Sequence, residues 1–381
     1  MSDQHPMLFQ PFRLRGLTLR NRVVVSPMAQ YSAEDGAATD WHFAHFARFA
    51  VGGAGLVFSE AVKVERRGLG TVGDMGLWDD AQIAPLRRIT DFLRRHGAAS
   101  GIQLNHAGRK AGTARPWEGF GPLDRAVPIE GRAHWQVVGP SAISHAPGYP
   151  VPHALSTNEV VEQVNAWAQA ARRAVAAGFD VLEIHGAHGY LVHQFLSPEA
   201  NRREDRYGGS LANRMRFALE ITEAVRAIWP ADRPVFFRIS AVDDRGWTMA
   251  DSIVLARELK ACGVDVIDCS SGGIAPGSPT ASRTGLQLGY QVPYAAELRR
   301  ESALASMAVG LIVGAAQAEA ILQGGSADLV AIGREMLRDP FWAAHAAEEL
   351  GADPGFALLP PQYGWWLERR RRSGYPVSPP S

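Results

Sequence analysis

Short runs of β-branched and other apolar residues, bounded by glycine or polar positions, recur along this chain. They fall at 22–27 (RVVVSP), 55–62 (GLVFSEAV), 100–106 (SGIQLNH), 181–186 (VLEIHG), 235–240 (VFFRIS), 264–271 (VDVIDCSS), 308–314 (AVGLIVG) and 327–333 (ADLVAIG). Runs this apolar predict strands covered on both faces. Between them lie segments of helical period. The clearest begins at a capping box of Ser156 and Glu159, carries Val161, Val164, Trp167, Ala168, Ala171 and Val175 on one face, and stops at Gly178. Strand and helix alternate throughout, which predicts a parallel sheet wrapped by helices, and eight such units are the number that closes a (β/α)8 barrel. An open doubly wound sheet is the competing arrangement.

Three segments fall outside that alternation. The stretch LFQPFRLRGLTLRN alternates apolar and polar residues about Gly16, predicting a β-hairpin that plugs the N-terminal end of the barrel. Residues 111–152 hold seven prolines together with Trp117 and Trp135 and show little periodicity, as expected of a lid over the C-terminal mouth. From Leu359 the chain turns Pro-rich, then aromatic (YGWW), then basic (ERRRR), predicting a docked helix with a solvated end. The whole of 1–381 is thus expected to form one barrel domain, with 111–152 as an insertion and 359–381 as a tail.

Composition narrows the partners. Of 381 residues, 39 are Lys or Arg and 39 Asp or Glu, so no net field draws the molecule to nucleic acid or an anionic membrane. Small molecules are the expected partners. Two cysteines, Cys262 and Cys269, form neither a disulfide framework nor a metal-ligand spacing. The opening MSDQHPMLFQ has no basic-then-apolar leader pattern, and no run approaches the ~20 apolar residues of a spanning helix. The expectation is a cytoplasmic enzyme or binding protein.

In barrels of this kind chemistry sits where strands end. The fourth run ends in H185-G-A-H188-G-Y190. Side chains at i and i+3 leave opposite faces of a strand, so His185 and His188 meet one ligand only if the chain turns at Gly186–Ala187. Packing histidines and a ligand-binding pair are both compatible with this spacing. A metal site needs a third ligand that nothing nearby supplies, whereas two neutral imidazoles donating to one oxygen are worth about 2.7–4 kcal/mol each at a developing oxyanion. His42 and His45, on the amphipathic WHFAHFARFA, read as packing or capping groups. Gln103 and Arg238 are polar positions inside apolar runs. A buried Arg demands an anion, either Asp243 or Asp244 just downstream or a cofactor that turns negative on reduction. Gly314, Gly333 and Arg334 lie where barrels seat a phosphate, though Gly314 and Gly333 are equally compatible with plain turns. Cys269, Ser270 and Ser271 end the sixth run, so a Schiff-base lysine is missing there, and no G-x-S-x-G elbow occurs. A hydrogen-bonding, apolar site without nucleophile or metal points to chemistry carried by a cofactor.

With NRVVVSPM, IQLNHAGRK, FDVLEIHGAHGYLVHQFLSPEANRREDRYGGSLANRMRF, VDVIDCSSGG and AIGREMLRDP in view, the chain from Leu8 to YGWW resembles the Old Yellow Enzyme family of flavin-dependent ene-reductases, in the branch of bacterial xenobiotic reductases and thermophilic-like enzymes. The resemblance implies a barrel holding FMN tightly but non-covalently, taking hydride from NAD(P)H and delivering it to activated alkenes in ping-pong fashion. By position, it implies that Ser26, Pro27, Met28, Ala29, Ala61 and Gly272 contact the flavin, that Gln103 reads its pyrimidine edge and that Arg238 lies beside N1 and the C2 oxygen. Gly314, Gly333 and Arg334 would take the phosphate. His185 and His188 would bind the substrate oxygen, Tyr190 would protonate the substrate, and Tyr31 would face it.

One position departs from the branch: Ala29 stands where a cysteine is common, which implies a shifted flavin potential. In related proteins a C-terminal aromatic or arginine crosses into a neighbouring subunit. Trp366, beside Tyr363 and Trp365, is the matching residue here, implying a homodimer or a dimer of dimers; aromatics sealing the barrel's exterior are the alternative. A dienoyl-CoA reductase shares the frame but needs clustered cysteines. A flavin-binding protein without turnover and a metal-dependent lyase using His185 and His188 are the rival functions.

Overall fold

A computed structural model of the chain describes residues 5–124, 126, 134–243, 245–276 and 286–374. The hairpin is formed by β1 (Phe12–Leu14) and β2 (Leu17–Leu19), paired antiparallel. The parallel strands β3 (Val23–Val25), β4 (Leu56–Lys63) and β5 (Ala99–Asn105) follow. After them comes a short parallel pair, β6 (Val138–Gly139) inside the 111–152 segment and β7 (His153–Ala154) directly after it. The remaining strands are β8 (Val181–Gly186), β9 (Val235–Ser240), β10 (Val266–Ser270), β11 (Ala305–Ala308) and β12 (Leu329–Ile332). The sheet closes in the order β3-β4-β5-β8-β9-β10-β11-β12, and β12 pairs back onto β3. The expected eight-stranded parallel barrel is therefore present.

Two faces of each strand lead to two cores, because side chains alternate. Outward residues such as Val23, Val25, Val57 and Ile267 pack with helix residues including Phe49, Leu93, Trp167 and Phe217. Inward residues Val24, Leu56, Phe58, Val181, Phe236, Val266 and Met307 form a separate cluster, against which Phe12, Leu14, Leu17 and Leu19 of the hairpin pack.

On β9 and β10 the inward positions then climb in matched steps, Phe236, Arg238 and Ser240 beside Val266, Asp268 and Ser270, while on β8 the inward Val181, Glu183 and His185 are offset by one step, Glu183 pairing with Phe236 and His185 with Arg238. Register pairs Phe236 with Val266, Arg238 with Asp268, and Ser240 with Ser270. An apolar layer thus lies beneath a charged one, and the charged one beneath a hydrogen-bonding one.

Two sequence expectations need correction. The seventh strand is Ala305–Ala308, not 308–314, because the chain leaves the ladder at Gly310 (φ 107°) and Leu311 (φ 52°), conformations that a strand cannot carry. The apolar run 309–313 instead lines a cavity. In the helix Thr157–Ala176 the capping box holds, but Val161 is 48% exposed; the buried stripe is Val160, Gln163, Trp167, Ala168, Ala170, Ala171 and Ala174. One residue is 100° of rotation, so Val160 takes the inner position and turns Val161 outward.

Candidate active site

The β8 block turns as its glycines allow. His188 (φ 59°) and Gly189 (φ 71°) are both left-handed, and a Cβ on Gly189 would overlap the carbonyl of Gly273. Lys110 fastens this contact, its Nζ donating to the carbonyls of His188 (2.8 Å) and Gly273 (2.9 Å). The His188 N–H donates to Ser240 Oγ (3.0 Å), whose hydroxyl donates to the Gly272 carbonyl (2.8 Å). The result faces His185 Nε2 toward His188 Nδ1 at 3.3 Å, with the rings nearly perpendicular. Tyr190 lies edge-on to His185 at 5.1 Å.

Hydrogen bonding constrains where the protons sit. A backbone N–H can only donate, so His185 Nδ1, which takes the Ala187 N–H at 3.2 Å, is the acceptor of its ring and Nε2 carries the proton. His188 Nε2 is 2.6 Å from Ser270 Oγ, and that oxygen also accepts from Gln291 Nε2 at 3.1 Å. Two tautomers of His188 satisfy these contacts. If Nε2–H donates to Ser270, Nδ1 accepts from His185 and the pair is closed on itself. If Ser270 O–H donates to Nε2, both N–H groups converge on the space between the rings.

Burial holds both imidazoles neutral. It lowers the His185 pKa well below the ordinary value, helped by the neighbouring His188 ring and the Arg238 charge, and does the same for His188 with help from Arg238 and Lys110. Burial raises the Tyr190 phenol to about 12, with Asp74 adding to the rise, and raises Tyr31 as well. Lys110 is lowered to about 8, by burial first and then by Arg109.

Beside the pair lies a cavity of about 400 Å³ whose wall includes Ser26, Pro27, Met28, His188, Arg238, Ser270, Gln291, Gly333 and Arg334. Arg238, 7% exposed, has an Nε 3.2 Å from Asp268 Oδ2 but too poorly aligned for a hydrogen bond. A nearly buried cation without a full set of acceptors suits an electron-rich ring edge. A Cβ at Gly333 would reach Met28 Sδ at 3.7 Å, whereas nothing lies within 4 Å of one at Gly314, so bare backbone opens onto this end of the cavity. These residues fit a flavin mononucleotide.

Of the positions singled out from sequence, Ser26, Pro27, Met28, His188, Arg238, Gly333 and Arg334 share the cavity wall. His185 and Tyr190 join it through His188. Ala61 stands in register with Gln103, and Gln103 Nε2 donates to Glu183 Oε1 at 2.8 Å. Gly314 caps the helix Ala315–Gln323 directly after Val313 of the wall. The Gly272 carbonyl serves Ser240 rather than a wall position, and Ala29 is exposed. Tyr31 (φ 55°) stacks edge-on with Trp117 at 5.7 Å, while Trp135 and Tyr190 both pack against the Ala107, Ala111 and Val137 cluster. Trp366, on the helix Pro361–Arg372, is 65% exposed and stacks on Trp365, away from the wall.

Arg238 corrects one expectation. Its carboxylate is Asp268, on the adjacent strand; Asp243 instead accepts from the N–H groups of Arg245 and Trp247 and sits 3.6 Å from His193, and Asp244 lies outside the described residues. His42 caps its helix by accepting the Thr39 N–H (3.0 Å) and faces Glu60 with its other nitrogen. Sequence reasoning missed Glu183, Asp268, Ser270, Gln291 and Lys110. The first two carried the signal that had marked Arg238, a charge inside an apolar run; Gln291 has no local signal at all.

Comparison with known proteins agrees with the geometry. The family model for NADH:flavin oxidoreductases / NADH oxidases matches residues 7–353. An NADPH dehydrogenase of Geobacillus sp. (strain WCH70) is 44% identical over 349 residues, 91% of this chain and 95% of that protein. Among solved structures, an Old Yellow Enzyme homologue from Zymomonas mobilis superposes with a TM-score of 0.74 at 28% identity, covering 90% of this chain and 93% of the other. A 2-naphthoyl-CoA reductase in complex with 2-naphthoyl-CoA reaches 0.81 at 25% identity over 90% of this chain, which spans about half (52%) of that longer protein. The chain belongs to the NADH:flavin oxidoreductase / NADH oxidase family and is an FMN-dependent NAD(P)H oxidoreductase of the Old Yellow Enzyme type.

Proposed function

We propose that this enzyme reduces the C=C bond of alkenes activated by a conjugated oxygen-bearing group, such as α,β-unsaturated carbonyls. The observation that carries the reading is the His185–His188 pair, two neutral rings whose facing nitrogens lie 3.3 Å apart at the cavity's edge. FMN, when bound, supplies a hydride acceptor and donor that links NAD(P)H to the β-carbon of the alkene. As that carbon gains hydride, charge builds on the conjugated oxygen, and N–H donors aimed there lower the barrier. Ser270 supports this arrangement, because its hydroxyl proton on His188 Nε2 leaves the Nδ1–H free to join the Nε2–H of His185 on one substrate oxygen.

Tyr190, a phenol kept protonated by burial, donates to the α-carbon from the opposite face, giving trans addition. Tyr31 borders the alkene. Ser26, Pro27, Met28, Ala29, Ala61, Gln103, Arg238, Gly272, Gly314, Gly333 and Arg334 hold the FMN. NAD(P)H and alkene use one space in turn, so kinetics are ping-pong. The exposed Trp366 reaches a neighbouring subunit's site, and removing the chain after Leu359 lowers turnover as well as assembly.

Anaerobic stopped-flow tests the reading. Enzyme reduced by NADPH should be reoxidised rapidly by 2-cyclohexenone. Tyr190→Phe should slow that half-reaction and leave reduction by NADPH intact. No reoxidation by 2-cyclohexenone, maleimide or a nitroalkene would leave only a flavin-binding protein without alkene turnover.

A further inference from the structure

Glu183, Arg238 and Asp268 face inward on three successive barrel strands, Arg238 in register with Asp268 and Gln103 with Glu183, which stands one inward step from the position paired with Arg238. Glu183 and Asp268 are 0% exposed. Two carboxyls therefore share one guanidinium in the centre of a barrel. Gln103 Nε2 donates to Glu183 Oε1, and Arg238 Nε lies near Asp268 Oδ2. Glu183 Oε2 and both oxygens of Asp268 are left without a hydrogen bond. Glu183 and Asp268 lie within hydrogen-bonding reach of each other, yet two ionised carboxylates only accept and cannot satisfy one another.

A single proton resolves the conflict. We infer that Glu183 is a neutral carboxylic acid acting as a positioning residue: its Oε2–H bonds Asp268, and its Oε1 holds the Gln103 amide with the amide oxygen turned toward the flavin. Donors and acceptors then alternate from Gln103 N–H to the Glu183 carbonyl and from the Glu183 O–H to Asp268, whose charge pairs with the Arg238 guanidinium at 3.2 Å. One positive and one negative charge remain, so the layer beneath the cofactor is neutral. An ionised Glu183 would place a second buried negative charge under a cofactor that itself becomes negative on reduction. Burial, reinforced by the Asp268 charge, pushes the Glu183 carboxyl well above the usual carboxylate range, in agreement. The next cation, Lys63, is occupied by Asp74 at 3.3 Å. The inference goes beyond alkene reduction and depends only on FMN being the bound group.

Infrared difference spectroscopy of the FMN-loaded enzyme at neutral pH, in water and in deuterium oxide, reads the proton directly. A protonated-carboxyl C=O stretch that moves on deuteration should be present, and should vanish in Glu183→Gln. Because a glutamine keeps both hydrogen bonds and the same charge, that variant should shift the flavin midpoint potential by less than about 30 mV, a tenfold change for a two-electron couple. Its apoprotein should bind FMN within threefold of wild type. Glu183→Leu, which frees the Gln103 amide, should weaken FMN binding at least tenfold. A larger potential shift in Glu183→Gln, or no loss of the stretch, would mean an ionised Glu183 and overturn the inference. Undiminished FMN affinity in Glu183→Leu would remove the positioning role. If neither variant folds, the wild-type band decides alone: its absence overturns the inference.

Discussion

The lowest inward layer of the barrel and the two layers above it are equally buried and chemically opposite. Below, Val181, Phe236 and Val266 join Phe58, Met307 and the hairpin leucines in contacts that have no direction, so any shape of the right volume serves. Above, Glu183, Arg238, Asp268, His185, Ser240 and Ser270 make directional contacts that depend on where charges and protons sit. Moving two residues along a strand changes the rule that governs stability. The lower layer is expected to respond to lost volume, the upper ones to lost protons and lost donors.

Four measurements sharpen or break this division. Phe236→Ala should cost about 3–5 kcal/mol of folding stability in a urea titration, since a ring is removed from a close-packed cluster. A cost under about 1 kcal/mol would show the lower layer to be loosely packed.

Next in size, His185→Ala should lower kcat/KM for 2-cyclohexenone by about 10²–10³, corresponding to about 2.7–4 kcal/mol of transition-state stabilisation, with little change in the urea midpoint. A stability loss equal to that of Phe236→Ala would erase the contrast.

The third measurement is acid sensitivity. Because both histidines have folded pKa values below the unfolded value of about 6.5, the unfolded chain binds more protons below that pH. Their contribution is fully present above pH 6.5 and is lost as pH falls through the lowered folded values, by at most about 1.4 kcal/mol per histidine for each pH unit. A His185→Asn/His188→Asn double variant should show a shallower decline between pH 6.5 and 5 than wild type; identical slopes would show the rings to be ordinary titrating groups.

The smallest effect is a control outside both regions. Ser156→Ala should cost about 1 kcal/mol in the urea midpoint by removing the cap on Glu159 N–H, and leave the flavin potential unmoved. A shifted potential would show that the outer helices communicate with the upper layers.

Legibility in the sequence follows the same line. Apolar runs and Gly punctuation report the ladder, because burial on both faces needs only hydrophobic residues: five of the eight barrel strands fall within the runs 22–27, 181–186, 235–240, 264–271 and 327–333, and Leu56–Lys63 and Ala99–Asn105 each overrun theirs by one residue. The eighth, Ala305–Ala308, is made of small residues, while its more apolar neighbour 309–313 leaves the sheet; hydrophobicity marked burial there and not strand. His185, His188 and Arg238 stood out as polar positions at strand ends. Asp268 stood in the same kind of run, but a nearer carboxylate, Asp243, masked it, because distance along the chain says nothing about which strand lies alongside in the closed ring. The step from Phe236 to Arg238 to Ser240, repeated as Val266, Asp268 and Ser270, becomes meaningful only when register sets the two strands side by side.

The pairing of β12 with β3 has a consequence for biosynthesis. Val23–Val25 takes one neighbour from Leu56–Lys63 and the other from Leu329–Ile332, synthesised more than three hundred positions later. Until the last strand emerges, the nascent ring has two open edges, the kind of surface on which strands of other chains pair. Translation arrested anywhere before Ile332 therefore yields an aggregation-prone fragment rather than a smaller working enzyme.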